Sequence, residues 1–478
     1  MTRSAATPRS AVLAGDGAAP IPLSILAILV AAELGLLALG LATERPLAGA
    51  AVAALAAYFL IAFRAPDVAW GLVWIAFPFS IEVTLAGGSA INLPTEPMIA
   101  AALAAWGLRS IMTGELRVPR SSMNAPLAVL AGVALVSVVL SAYVAVGIKA
   151  WLVAAAYAAF GYLYFLSAPC DPARRERWIR LVVAAGAFWG LYGSTRVFAV
   201  GVTPRLAYGI ARPFFVEHGT YAAYLAMVLP LALLLAIERR GWARIGYAAA
   251  ALLIGLGATL SFTRAAWVSL LLVLPVTALL WARGRTAWRG LMLPALLAGV
   301  VLAVVLAAGA GRPLSRHAES IVEAENVSNL ERVNRWIAAL EMAKDRPWIG
   351  VGYGAYPPAY PKYRRKLIVT MSAYQYMGPH SEPLRLLSET GVLGLGAALW
   401  FLWVAARTGL RTFRASPDPG ARLLSLAVLS GLATYALHGV FNSYLGYDKV
   451  TVPFWFGLGV LAALEARSRL QGDGSRIA

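Results

Sequence analysis

Apolar runs of about 20 residues recur along almost the whole chain, and an α-helix needs this length to cross the hydrocarbon core of a bilayer. A spanning segment must satisfy its backbone hydrogen bonds internally, so these runs predict transmembrane helices. The 478 residues are 60% hydrophobic and 13% charged, against roughly 25% charged in soluble domains. The pattern predicts an all-α polytopic membrane protein with about 12–14 transmembrane helices. The predicted spans are 21–42, 46–63, 68–87, 95–112, 124–147, 149–167, 178–200, 216–237, 245–262, 265–282, 290–310, 392–408, 423–441 and 450–466.

The basic residues indicate the orientation of these helices, because cytoplasmic loops of membrane proteins are enriched in Lys and Arg. With a cytoplasmic N-terminus, about 23 of the 41 basic residues fall in inner segments and about seven in short outer loops. Both termini are therefore expected to be cytoplasmic. The net charge of +18 would suggest nucleic acid in a soluble protein. Here topology explains much of that charge, and no nucleic-acid partner is expected.

This topology divides the chain into five segments. They are a cytoplasmic tail, a transmembrane bundle, a long outward-facing loop, the C-terminal transmembrane helices and a second cytoplasmic tail, at 1–20, 21–310, 311–391, 392–466 and 467–478. The run 21–42 is too long for the apolar region of a signal peptide and is expected to be retained as a span. The single cysteine, Cys170, excludes an internal disulfide and a cysteine-based metal cluster. The four histidines are scattered, so no metal site is expected.

The long outer loop is expected to contain an amphipathic helix. Four apolar side chains recur in it at helical spacing: Val333, Trp336, Ile337 and Leu340. Such a helix would lie on the outer membrane surface or pack over the bundle. On the same helix, Arg332 could reach a pyrophosphate or a sugar, whereas Arg335 could simply be solvated.

Arginines in the short outer loops go against the charge bias and are candidate ligands for an anion. Arg264 lies at a tight turn between two spans, and Arg212 lies in another outer loop, with Arg205 as a rim charge. A guanidinium binds phosphate oxygens bidentately and keeps its charge, so Arg212 and Arg264 could converge on one diphosphate. The alternative for Arg264 is an arginine that extends to the membrane interface without a ligand.

His380 is the leading candidate for a general base. Its unperturbed pKa of about 6.5 suits proton transfer near neutral pH, and it lies at the mouth of the bundle, directly before a helix predicted to start at Ser381. Glu382 could orient the imidazole. The alternatives are a loop histidine without a special role, or His218 as the base. Glu217, which precedes His218, is explained by the preference for acidic residues at helix N-termini.

Three motifs occur in a fixed order between Arg212 and Gly394. They are Ser261-Phe262-Thr263-Arg264-Ala265-Ala266-Trp267, then Arg332-x-x-x-Trp336 leading to Asp345-Arg346-Pro347-Trp348-Ile349-Gly350-Val351-Gly352, and His380-Ser381 followed after nine residues by Gly391-x-x-Gly394-Leu395. The ordered set resembles the O-antigen ligase and polymerase superfamily of bacterial envelope glycosyltransferases. The last motif is similar to the ligase-type signature. The sequence departs from the family pattern in two respects. Ser381 stands where Asn is common in the family. The predicted number of spans, about 14, exceeds the 12 typical of ligases, so a polymerase remains an alternative.

The resemblance implies a GT-C-like enzyme of the bacterial inner membrane with its active site on the periplasmic face. It implies transfer of a glycan from an undecaprenyl-diphosphate carrier without a metal ion or other cofactor. Membrane lipids are expected to surround the protein. A ligase would pass the glycan to a lipid A-core sugar, and a polymerase to a second lipid-linked glycan. Carried over to this sequence, Arg212 and Arg264 would hold the diphosphate, His380 would deprotonate the acceptor hydroxyl, and Arg332 would be a further contact. Tyr353 could stack on a sugar, although packing explains it as well.

A transporter or lipid-glycan flippase is the main competing interpretation. Transporter folds tend to show repeated halves and charges at the membrane midplane on interrupted helices. The sequence shows no internal repeat, and its unusual charges lie in outer loops. These features favour chemistry at the membrane surface over passage across the membrane.

Overall fold

The computed structural model describes residues 46–84, 90–114, 118–167, 172–202, 207–215, 217–282, 327–364 and 378–474. It confirms an all-α polytopic membrane protein. Within the described ranges, eight helices are long and apolar enough to cross a membrane, and three shorter helices are also apolar. The predicted spans 21–42 and 290–310 lie outside the described residues.

The helices follow one another along the described chain with a single β-hairpin between the second and third. The first half contains α1 (Pro46–Arg64), α2 (Pro66–Ala76), β1 (Ile81–Thr84), β2 (Ala90–Leu93), α3 (Thr95–Thr113), α4 (Asn124–Val139), α5 (Val144–Ala158) and α6 (Pro172–Val200). The second half contains α7 (His218–Glu238), α8 (Gly241–Leu260), α9 (Arg264–Ala282), α10 (Val327–Asp345), α11 (Tyr356–Tyr363), α12 (Glu382–Ala415), α13 (Pro419–Gly439) and α14 (Asp448–Gly474). After α5 the helical path continues as a π-helical segment, Ala159–Tyr164, and a last turn, Phe165–Ser167.

The predicted span 68–87 is wrong. Helix α2 ends at Ala76, and one 3-10 turn, Phe77–Phe79, leads into the antiparallel strands β1 and β2. Pro78 lies inside this turn and cannot donate a helical hydrogen bond. The alternation of Ile81, Glu82, Val83 and Thr84 then suits a strand better than a helix, because β-branched side chains pack well on a pleated surface.

The predicted span 124–147 is also wrong at its C-terminal end. Helix α4 stops at Val139, and a turn separates it from α5, which begins at Val144. Ser141 stabilises the turn, because its Oγ accepts a hydrogen bond from the backbone N–H of Tyr143 and donates one of 2.7 Å to the carbonyl of Val351. An apolar run that crosses a turn cannot be divided by hydropathy alone.

Helix α7 is the centre of the bundle. Its side chains are apolar around almost the whole circumference, which is the pattern of a helix surrounded by other helices. It is buried along nearly its full length and packs against α6, α8 and α13. This packing fixes the position of its first residue, His218.

Helix α10 packs over the bundle on α12, but not through the predicted apolar stripe. The side chains buried on it are Asn334, Arg335, Ala338, Ala339 and Met342. Val333 and Leu340 of the predicted stripe are 43% and 44% exposed. Ala338, Ala339 and Met342 pack in one cluster with Val351, Tyr356 and Tyr360, so the buried face of α10 lies against the segment that leads into α11 and against α11 itself. Arg335, expected to be solvated, is only 3% exposed.

Helix α12 is kinked at Gly391, where φ is 66° and ψ is −166°. The segment between α10 and α11 pairs with the backbone on both sides of this kink. The N–H groups of Val351 and Gly352 donate to the carbonyls of Ser388 and Glu389, at 2.9 and 3.0 Å. The N–H groups of Val392 and Leu393 donate to the carbonyls of Pro347 and Trp348, at 2.8 and 3.3 Å. The backbone groups that the kink would otherwise leave without partners are thereby satisfied.

Two glycines make this close approach possible. A Cβ on Gly350 would lie 2.3 Å from the carbonyl carbon of Glu389, and a Cβ on Gly391 would lie 2.3 Å from that of Trp348. Both residues also have a positive φ, which glycine adopts at no steric cost. We call residues 346–352 together with residues 388–393 the kink lock. The kink lock explains why the His380 segment is followed by Gly391 and why the loop contains Gly350.

Candidate active site

A cavity at one end of the bundle brings together six segments that lie far apart in the sequence. It is lined by Tyr208, Glu217, His218, Gly219, Phe262, Thr263, Arg264, Ala265, Glu331, Arg332, His380, Asn442 and Tyr444. Four of the predicted site residues therefore share one cavity: His218, Arg264, Arg332 and His380. The cavity contains arginines, an imidazole and carboxylates, which together can bind an anion and move a proton.

Two helices point their N-termini at the cavity. Helix α7 begins at His218 and helix α9 begins at Arg264, and the N-terminus of a helix carries a partial positive charge. The Oγ1 of Thr263 donates to the carbonyl of His218 at 3.3 Å, so the two helix starts are directly connected. The backbone N–H groups of the first helical turns, the helix dipoles and the Arg264 guanidinium together favour a phosphate-containing ligand.

The turn that carries Arg264 is shaped by its own hydroxyl groups. The Oγ of Ser261 donates to the carbonyl of Ala258 at 2.6 Å and accepts from the N–H of Thr263 at 3.2 Å. Phe262, which lies between Ser261 and Thr263, adopts a positive φ of 53° and is buried. The carbonyl of Thr263 then accepts the first N–H groups of α9. The predicted turn is confirmed, and its local hydrogen bonds fix where Arg264 leaves the backbone.

His380 lies directly before α12, and the predicted helix start is confirmed with Ser381 as the N-cap residue. Its φ of 51° places it in the left-handed region, which costs about 1–3 kcal/mol for a residue other than glycine and is found often at active sites. Arg335 holds the preceding segment, because its Nη1 donates to the carbonyl of Gly378 at 3.2 Å. The hydroxyl of Tyr356 in turn donates to the carbonyl of Arg335 at 2.9 Å.

The surroundings of His380 keep its imidazole neutral. Burial, together with the positive charges of Arg335 and Arg332, lowers the pKa of His380 to about 3. A neutral imidazole can accept a proton, so His380 is in the form that a general base requires. An anion bound beside the two arginines would offset their charge and raise the pKa of His380 again.

Glu382 and Tyr353 do not line the cavity. The Oε1 of Glu382 accepts hydrogen bonds from Arg385, whose Nη1 also donates to Glu389 at 2.7 Å. Tyr353 packs its ring 5.5 Å from the same guanidinium. One oxygen of Glu382 is therefore bound to Arg385, and Glu382 makes no hydrogen bond to His380 among the described residues, so its role in orienting the imidazole stays a prediction. Tyr353 belongs to a packed network beneath the kink lock. Arg385 lies three residues after Glu382 and four residues before Glu389 on one helix, and this spacing could have predicted the two ion pairs.

The structure also places the outer-loop arginines. Arg212 is exposed and does not line the cavity, although Tyr208 in the same turn does. The backbone carbonyl of Arg212 accepts a hydrogen bond of 2.6 Å from Arg196. Arg205 lies outside the described residues. The assignment of Arg212 and Arg205 to a diphosphate therefore stays a prediction.

Sequence reasoning missed part of the cavity wall. Asn442 and Tyr444 come from the connection between α13 and α14, and the edge of the Tyr208 ring lies against His218 with ring centroids 4.2 Å apart. Glu217 was attributed to the helix dipole alone. Burial raises the pKa of its carboxyl group, against the opposing effect of Arg332 and Arg335. The polar Asn-Ser-Tyr stretch between two apolar runs was the available signal for Asn442 and Tyr444.

The described residues contain no group of three or more His, Cys, Asp or Glu side chains that could hold a metal ion. Metal independence remains an expectation. The cavity as described contains two basic side chains, Arg264 and Arg332, and two acidic ones, Glu217 and Glu331. The positive groups are thus balanced by carboxylates, which can accept hydrogen bonds from hydroxyl groups.

Part of the chain matches a known protein family. Residues 248–399 match the family model described as O-Antigen ligase. No curated protein matches the chain. The matched segment runs from α8 into α12, so it includes Arg264, Arg332, the kink lock and His380. Over this segment, which supplies Arg264, Arg332 and His380 to the cavity, the chain is similar to the O-antigen ligase family.

Proposed function

We propose that the protein is an O-antigen ligase that transfers a glycan from an undecaprenyl-diphosphate carrier to a sugar hydroxyl of lipid A-core at the periplasmic face of the bacterial inner membrane. One observation carries the proposal: Arg264, Arg332 and His380 line a single cavity, and all three lie within the segment that matches the ligase family. The excess of basic residues in the opposite loops supports a periplasmic position for this cavity.

In this reaction the diphosphate binds at the N-termini of α7 and α9. Arg264 and Arg332 contact its oxygens and stabilise the negative charge that develops as the bond to the sugar breaks. His380 accepts the proton of the acceptor hydroxyl, whose oxygen attacks the anomeric carbon from the side opposite the diphosphate. The configuration at that carbon is inverted. Glu217 and Glu331 accept hydrogen bonds from sugar hydroxyls, and no metal ion is required.

Transfer by purified protein tests this proposal. The full chain is reconstituted in lipid with the undecaprenyl-diphosphate-linked glycan and a chelator, and either lipid A-core or a second lipid-linked glycan is added as acceptor. We expect glycan to appear on lipid A-core, because the last sequence motif is of the ligase type. Extension of the lipid-linked glycan alone would assign a polymerase. If neither acceptor is extended while the donor binds, the proposed chemistry is refuted.

Replacing Arg264 tests the diphosphate contact. Hydrogen bonds to charged groups contribute about 1.5–3 kcal/mol, so R264A should weaken donor binding or transition-state stabilisation by about 10–100-fold. R264K keeps the charge but loses the planar fork and should recover only part of the loss. The initial rate of transfer, measured as a function of donor concentration, gives the loss in each of the two variants. R212A in the same assay shows whether Arg212 shares the diphosphate. Full recovery by R264K would mean that charge alone is needed at this position.

A further inference from the structure

A second cavity lies at the end of the bundle opposite His380, between the C-terminal parts of α12 and α14. Its lining includes Arg411 and Arg469 together with the hydroxyl groups of Thr408, Thr412, Ser416 and Ser468. At a rise of 1.5 Å per residue, the helix between Gly391 and Thr408 spans about 25 Å. This cavity is therefore separate from the candidate active site.

The charge of this second cavity is positive. Glu465 also lines it, but its Oε1 accepts a hydrogen bond of 2.5 Å from Arg469 and its Oε2 accepts from the side chain of Ser121 and from the backbone N–H and side chain of Ser122. The carboxylate is thus neutralised within the protein. Arg411, in contrast, is exposed and has no ion-pair partner among the described residues. One guanidinium charge therefore remains uncompensated at the cavity.

The position of the cavity determines which anion can reach it. It lies where two membrane helices end, and further arginines occur near the same helix ends in the sequence, at positions 407, 414, 422 and 467. By the charge bias this end faces the cytoplasm, where the leaflet carries anionic lipids and basic pockets between transmembrane helices hold their headgroups. A phosphate group there meets the guanidinium of Arg411 and the hydroxyl group of Ser416, which accepts from the backbone N–H of Asp418 and donates no hydrogen bond among the described residues.

We infer that this cavity binds the phosphate-bearing headgroup of an anionic phospholipid. The apolar side of α12 would lie along the acyl chains, and Arg411 would contact the phosphate. This lipid site is independent of the proposed transferase reaction. Its loss should leave the chemistry at His380 intact.

Lipid binding by two matched variants tests the inference. Arg411 and Arg414 are both exposed on α12, but only Arg411 lines the cavity. Native mass spectrometry of the full chain, titrated with phosphatidylglycerol or phosphatidylcholine, measures the affinity of each. We expect R411Q to bind phosphatidylglycerol about fivefold more weakly, as is typical for one basic residue at a membrane surface. R414Q should bind it like the unmodified protein, and phosphatidylcholine should bind weakly to both variants.

Several outcomes would overturn the lipid site. Equal losses for R411Q and R414Q would indicate only a diffuse surface charge, and equal binding of the two lipids would show that headgroup charge is not recognised. Competition by inorganic phosphate at the same concentration as the lipid would assign a free anion instead. Thermal unfolding in phosphatidylcholine alone checks that both variants fold, since neither should differ there from the unmodified protein.

Discussion

Replacing His380 by alanine should lower the rate of glycan transfer by about 10²–10⁴-fold, the range typical for the loss of a general acid or base. His380 is the imidazole at the cavity that burial and the charges of Arg335 and Arg332 keep neutral, because they lower its pKa. Donor binding should change little, because Arg264 and Arg332 remain. Single-turnover transfer in vesicles measures the chemical step, and retention of the labelled donor measures binding.

His218 provides the matched control for this prediction, because it lines the same cavity. It is the first residue of α7, with its ring against Tyr208, and we expect H218Q to retain most of the activity. A larger loss in H218Q than in H380A would make His218 the base. Comparable activity of H380A and the unmodified protein would remove general-base catalysis from the mechanism altogether.

The pH dependence follows from the same surroundings. In the free enzyme the pKa of His380 is lowered to about 3, so kcat/KM should stay flat as the pH falls from 8 to about 5. A bound diphosphate offsets the charge of the two arginines and raises the pKa of His380 in the complex. The acid limb of kcat should therefore lie at higher pH than the acid limb of kcat/KM. Acid limbs at the same pH would mean that the diphosphate does not bind beside His380.

Replacing Gly391 by alanine should destabilise the protein and abolish transfer. The backbone conformation at Gly391 costs about 1–3 kcal/mol for any other residue, and the added Cβ would lie 2.3 Å from the carbonyl carbon of Trp348. The kink would then open, and the backbone hydrogen bonds of the kink lock, which hold α12 just after His380, would be lost. The temperature at which the detergent-solubilised protein loses its monodisperse elution peak measures stability, and the transfer assay measures function.

Gly396 offers a control on the same helix. A Cβ there would have no atom within 4 Å, so G396A introduces the same methyl group without a clash. Alanine is favoured over glycine in a helix by roughly 0.5–1 kcal/mol. G396A should therefore leave stability unchanged or slightly higher, opposite in sign to G391A. If the two variants behave alike, the kink at Gly391 does not need glycine.

The features that the sequence predicted well are those set by local chemistry. The length of the apolar runs predicted most of the helices, because spanning a bilayer requires a fixed number of residues. Ser381 followed by Glu382 and a proline marked the start of α12, and the polar turn around Arg264 separated two apolar runs. Each of these signals lies within a few residues of the feature that it predicts.

Other features depend on packing between distant segments, which a single sequence does not show. Hydropathy placed Val333 and Leu340 at the buried face of α10, whereas the side chains buried on this helix include Ala338 and Ala339. Glu217 had a sufficient local explanation, and only the fold brings it into one cavity wall with Glu331 and Arg332 of α10. The π-helical segment after α5 likewise has no local sequence signal that we can identify.

The kink lock makes the position of His380 depend on two separate attachments. Residues 351 and 352 are hydrogen-bonded to α12, and Arg335 of α10 donates to the carbonyl of Gly378, two residues before His380. Two attachments limit the conformations that the backbone before α12 can adopt. Little further conformational entropy is then lost at His380 when a ligand binds, which is the advantage of a preorganised site.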